Sequence, residues 1–158
     1  MEYRRLSIYD QGAQMRGYFT LILLLCATLI AETRFADPVP SIENQRKIVF
    51  SIKSDKDEEI HHVLSSANNV LKFYGPENVQ MRIVAYYHGI RALLKAEKDI
   101  AVRVDALMQY DVEFVACANT MNTKKIQEDE LIEGVEIVTA GIVEMVERVQ
   151  EGWVNIVP

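Results

Sequence analysis

The sequence predicts an α/β domain, a three-layer α/β/α sandwich built on a five-stranded, mainly parallel sheet. Five apolar runs rich in β-branched residues recur along the chain: "KIVFSI", "VQMRIVAYYH", "VEFVAC", "VEIVTAG" and "WVNIV". Segments with apolar residues at helical spacing separate them, and strands joined through helices pair in parallel by right-handed crossovers. Apolar residues make up 49% of the 158 positions, enough to bury the core of one ordinary domain.

The first run reads as a buried strand. Ser54, Asp55 and Asp57 follow as candidate N-caps, with Glu58 and Glu59 suited to the positive end of a helix dipole. Ile60, Val63, Leu64, Ala67, Val70, Leu71 and Tyr74 then repeat as one helical face, stopped by Gly75-Pro76. The second strand closes at His88-Gly89, and Ile90, Leu93 and Leu94 give a short helical turn. Ile100, Val104, Leu107 and Met108 mark the next helix, ending near Tyr110. The third strand runs from Val112 to Cys117, and a helix is expected from about Thr120. The acidic stretch "QEDELIEG" reads as short helices and a turn at Gly134. After the fourth strand, Ile142, Met145, Val146 and Val149 line the last helix, which Gly152 ends before the fifth strand. Trp153 reads as a packing or subunit-contact residue.

Residues 1–36 stand apart. Arg16 precedes an uncharged apolar run of 15 residues, 17–31. That is short of the roughly 20 needed to span a bilayer, and it suits the core of a secretory signal. Ala31 and Ala36 offer cleavage points, and Met15 is a candidate true start. The alternative is a retained membrane anchor. A lipid anchor on Cys26 fits poorly, because Leu25 is bulky where such sites want a small residue. Residues 37–45, with two prolines, read as a linker, and residues 46–158 as the folded domain. Export implies a periplasmic or secreted protein, membrane-anchored if the segment is retained. Cleavage near Asp37 leaves 13 Lys+Arg against 20 Asp+Glu, a net charge of −7, and Cys117 as the sole thiol. No internal disulfide is then possible.

Charge and motifs narrow the function. The whole chain carries −6, which argues against a nucleic-acid partner; Lys124-Lys125 is only a pair. The sequence contains no GxSxG, P-loop or GxGxxG, so nothing supports a serine hydrolase, an NTPase or a dinucleotide binder. His61 and His62 are adjacent and share no helix face, and one Cys cannot complete a zinc set. No metal or other cofactor is expected. The acidic residues Glu128, Asp129, Glu130 and Glu133 read as a solvated helix start.

His88 and Cys117 both fall at the carboxyl ends of strands, where α/β sheets bind ligands. A cysteine just before a helix sits where free N–H groups stabilise a thiolate. The other reading is a small buried hydrophobe. His88 is a proton donor or acceptor for that site, or a structural hydrogen-bonding residue.

Several motifs share an order and spacing: "KIVFSI", the "YYHGI" strand end, "VEFVACANTM", "GVEIVTAGIVEMVERVQEGW" and the closing "VNIVP". Together they resemble the DsrE/DsrF-like (YchN-like) sulfur-relay family across residues 46–158, and in particular an exported branch with a signal peptide. The resemblance implies the DsrEFH-like parallel α/β/α domain and assembly into homo-trimers or hexamers. For sulfur-relay members it also implies a cysteine after a central strand that takes up sulfane sulfur as a persulfide and passes it between donor and acceptor proteins. Only Cys117 matches that position. His88, Gly89, Asn119 and Thr120 are its candidate neighbours. The resulting expectation is a sulfur carrier, sulfurtransferase-like if active. The alternatives are a non-catalytic oligomeric module that binds a small ligand or scaffolds, with Cys117 structural, and a thiol enzyme using His88 as base.

Overall fold

The computed structural model describes residues 33–158. The apolar run 17–31, Met15 and Cys26 lie outside the described residues. No helix among the described residues is long and apolar enough to cross a membrane.

Five strands form one sheet: β1 (Arg46–Ile52), β2 (Val79–Ala85), β3 (Glu113–Cys117), β4 (Glu136–Val138) and β5 (Val154–Ile156). Their spatial order is β4-β3-β2-β1-β5 and every pairing is parallel. The helices are α1 (Asp57–Tyr74), α2 (Lys98–Met108), α3 (Ala118–Lys124) and α4 (Gly141–Gln150), with a 3-10 segment at Tyr87–Leu93. The expected α/β/α sandwich is therefore present.

Strand alternation divides the sheet into two faces. Ile48, Phe50, Ile52, Met81, Ile83, Phe114 and Ala116 point to one side, where they join Ile60, Leu64 and Leu71 of α1, Ile100 and Val104 of α2 and Met121 of α3. Fully burying side chains such as Phe50, Leu64 or Phe114 stabilises the fold by about 1.5–3 kcal/mol each. Val49, Val84 and Val115 point to the other side, where Met145 of α4 and Trp153 are buried with them and Tyr86 and Val138 pack against the cluster. The chain moves in one direction from β1 to β4 and then jumps back past β1 to β5, so the last crossover puts α4 alone on that second face.

Several expectations shift in detail. The N-cap of α1 is Lys56, although the Ser54 hydroxyl accepts its N–H at 3.2 Å. Helix α3 begins at Ala118, two residues before Thr120, which makes Cys117 itself the N-cap. The segment 37–45 is not wholly extended: Ser41 and Asn44 close a turn. Of the α4 face expected to pack, Met145 is buried but Ile142, Val146 and Val149 are 43–54% exposed, as is Val143 beside them at 55%.

On the second face Arg82 is 8% exposed. Its guanidinium meets Glu144 at 2.9 Å, Glu113 at 3.2 Å and the Glu136 carboxylate. Glu144 is also held by Arg148 at 3.1 Å. This network fastens α4 over β2, β3 and β4 where the apolar cover is thin.

Candidate functional site

Strands β3 and β4 are neighbours whose following helices diverge. Helix α3 packs through Met121 on the main core face, and α4 packs through Met145 on the other. That divergence opens a crevice at their carboxyl ends, the usual ligand position in open α/β sheets. Cys117 ends β3 in register with Val138 of β4. By strand alternation its side chain lies on the α4 face.

Helix α4 starts directly over the sulfur-bearing residue. A Cβ built on Gly141 would stand 3.3 Å from the Cys117 Cβ, 3.1 Å from Val84 Cγ1 and 3.4 Å from the Tyr86 Cβ. Glycine therefore lets the first N–H of α4 approach the thiol closely. Cys117 is 6% exposed and is the free thiol among the described residues.

Burial, the largest single influence, pushes the thiol pKa up. Donors from Gly141 N–H, the Thr120 hydroxyl, Thr120 N–H and Asn119 N–H act the other way and together outweigh it, so the pKa lies below the ordinary cysteine value. As the N-cap of its helix, Cys117 makes no side-chain cap hydrogen bond. The Thr120 Oγ1 accepts the N–H of Tyr87 at 3.0 Å, which leaves its own proton for the sulfur. Asn119 N–H is shared with the Thr139 carbonyl at 3.2 Å, tying the start of α3 to the end of β4.

A cleft of about 420 Å³ is lined by Tyr87, His88, Asn119, Thr120, Thr123 and Lys124; Cys117 is not part of the lining, and Asn119 and Thr120, which also donate toward its sulfur, join the two. The 3-10 segment that carries Tyr87 and His88 is clamped to the end of β1. Tyr86 N–H donates to the Ile52 carbonyl at 3.1 Å and Gly89 N–H to the Lys53 carbonyl at 3.0 Å. Those clamps hold Tyr87 at φ 53°, a left-handed conformation costly for a bulky residue. Its ring lies against His88 with centroids 3.9 Å apart. His88 Nδ1 is 3.1 Å from Lys124 Nζ and 3.9 Å from Asp55 Oδ2.

The structure brings His88, Asn119 and Thr120 to one cleft, whose lining does not include Cys117. Gly89 stays underneath it, packed against the end of β1, and its role is to permit that contact. Sequence reasoning missed Gly141, Tyr87, Thr123 and Lys124. Gly141 ends the small-residue stretch of "VTAG" and opens an amphipathic helix, the one sequence signal of a close approach. His61 stands apart from the cleft, its Nδ1 2.7 Å from Arg103 Nη1. No group of three or more His, Cys, Asp or Glu suited to a metal occurs among the described residues.

Comparison with known proteins bears on the fold and the family. Two solved structures share the fold. One is a protein of unknown function from Methanobacterium thermoautotrophicum, 30% identical, with a TM-score of 0.68 over 72% of this chain and 100% of that one. The other is the ychN protein from E. coli, 21% identical, with a TM-score of 0.62 over 72% of this chain and 98% of that one. A search of the curated proteins gives no match. The family model that matches covers residues 46–158, all five strands and all four helices, and on that match the chain belongs to the DsrE/DsrF-like family.

Proposed function

We propose that this protein is a sulfur carrier that accepts sulfane sulfur as a persulfide on Cys117 and yields it to a second thiol. The observation that carries the reading is the acidified Cys117 thiol at the β3/β4 crevice, ringed by Gly141, Thr120 and Asn119 donors. A thiolate is the attacking species in such exchange, and the same donors stabilise the charge of a bound persulfide. Family membership supports sulfur-relay chemistry in general. The test is anaerobic incubation with a persulfide donor followed by intact mass. Wild type is expected to gain one sulfur and Cys117→Ser none; no gain in wild type removes the proposal.

One observation favours a second reading, a non-catalytic ligand-binding module: Cys117 is only 6% exposed. Alkylation of the native protein separates the two. A thiol that labels only after denaturation is structural.

The carrier is proposed to act as a homo-oligomer. The open apolar row of Ile142, Val143, Val146 and Val149 on α4 supports this, because such a row is costly to leave in water. Val146→Glu should lower the mass seen by light scattering. Residues 17–31 support export, which N-terminal sequencing of the processed protein checks.

A further inference from the structure

The cleft that shares Asn119 and Thr120 with the surroundings of Cys117 also indicates what kind of donor the thiol takes, an inference that rests on the sulfur-carrier reading. Its lining contains no carboxylate, although the chain carries 23 acidic against 17 basic residues. Asp55 stands 3.9 Å from His88 Nδ1 but is not part of the lining. The charge in the cleft belongs to Lys124. Its Nζ stands 3.1 Å from His88 Nδ1. One wall is organic in character, formed by the Tyr87 ring packed on His88 and held by a strained backbone. The cleft, about 420 Å³, has the size of a small-molecule site rather than of a protein footprint.

We propose that the sulfur donor is a low-molecular-weight organic persulfide bearing a carboxylate, with its carboxylate at Lys124 and its carbon skeleton against Tyr87. The Cys117 thiolate attacks the outer sulfur of R–S–SH. A new S–S bond forms at Cys117, the donor S–S bond breaks, and R–S⁻ leaves with that electron pair. The proton stays on the transferred sulfur, and the exchange needs no external oxidant or reductant. A bare inorganic donor such as thiosulfate would leave the Tyr87 wall uncovered.

The test compares anaerobic loading of Cys117, by intact mass against time, from the persulfides of 3-mercaptopropionate and 2-mercaptoethanol. The pair differs in the carboxylate at similar size. Wild type is expected to load about fivefold faster from the carboxylated donor, the worth of one partly screened charge pair. In Lys124→Gln the ratio should fall to about one. Equal rates in wild type, or a preference that survives Lys124→Gln, overturn the assignment, as does faster loading from thiosulfate. Loading only from a protein-borne persulfide overturns the small-donor class and leaves the carrier reading standing. No sulfur gained from any donor removes the carrier reading itself, and this inference with it.

Discussion

Gly89→Ala should be far more damaging than a one-methyl change suggests. A Cβ at this position would stand 2.7 Å from the Lys53 nitrogen and overlap the Ile52 carbonyl, both main-chain groups that no rotamer change can move. The 3-10 segment must then lift from the end of β1. Lifting breaks or stretches Gly89 N–H to the Lys53 carbonyl, Tyr86 N–H to the Ile52 carbonyl and Tyr87 N–H to Thr120 Oγ1, now at 3.0, 3.1 and 3.0 Å. At about 1 kcal/mol each, these bonds account for about 3 kcal/mol. Residual overpacking adds about 1–3 kcal/mol. The sum, about 4–6 kcal/mol, is a large share of the roughly 5–15 kcal/mol that holds a domain together. Urea unfolding measures it. Gly152→Ala is the control: it has φ 87° and nothing within 4 Å of the new Cβ, so only conformational strain of about 1–2 kcal/mol applies. If Gly89→Ala costs no more than Gly152→Ala, the clamp between β1 and the cleft wall is not what fixes Tyr87 and His88.

The Cys117 thiol should react with iodoacetamide along a pH profile whose midpoint lies below that of an ordinary cysteine, and Thr120→Val should move that midpoint up. Because the folded thiol is the more acidic one, its contribution to stability relative to Cys117→Ser is absent at low pH. It grows as pH rises through the folded pKa and is complete above the pKa of an ordinary cysteine; urea midpoints at pH 6 and 9 check the sign. Arg82→Leu should destabilise by about 2–4 kcal/mol, since it leaves Glu144 short of a partner in a largely buried position. A double-mutant cycle with Glu144→Leu should give a coupling of at least about 1 kcal/mol, against less than about 1 kcal/mol for the more exposed Glu113. Equal couplings would show that burial does not set the strength of this network.

The strands and α1 were legible because their signals are local. "KIVFSI" needs no context to read as a buried strand, and Gly75-Pro76 stops α1 whatever it packs on. The two-residue error at α3 has a physical origin. Thr120 looks like a cap, yet the turn starts at Cys117 and the Thr120 hydroxyl is spent between Tyr87 and the sulfur. Periodicity in α4 located an apolar face but could not say what covers it. Strands β4 and β5 are three residues each, so of the expected face only Met145 is buried. Cys117 itself was legible as a strand-end thiol. Gly141 was not, because only the parallel register of Cys117 with Val138 carries it to the sulfur. Tyr87 was invisible for another reason: its φ of 53° comes from clamps to β1 that no local motif announces.

The acidity of Cys117 comes chiefly from N–H groups and one hydroxyl. Fixed dipoles buried beside the sulfur are not shielded by mobile ions, whereas an exposed lysine is. Ionic strength should therefore act on the two halves of the chemistry unequally. Raising the salt from low to physiological should slow the capture of an anionic donor at Lys124 while leaving the rate with an uncharged alkylating agent unchanged. The protein would keep the same intrinsic nucleophile in dilute and in saline surroundings, and only its choice among donors would change.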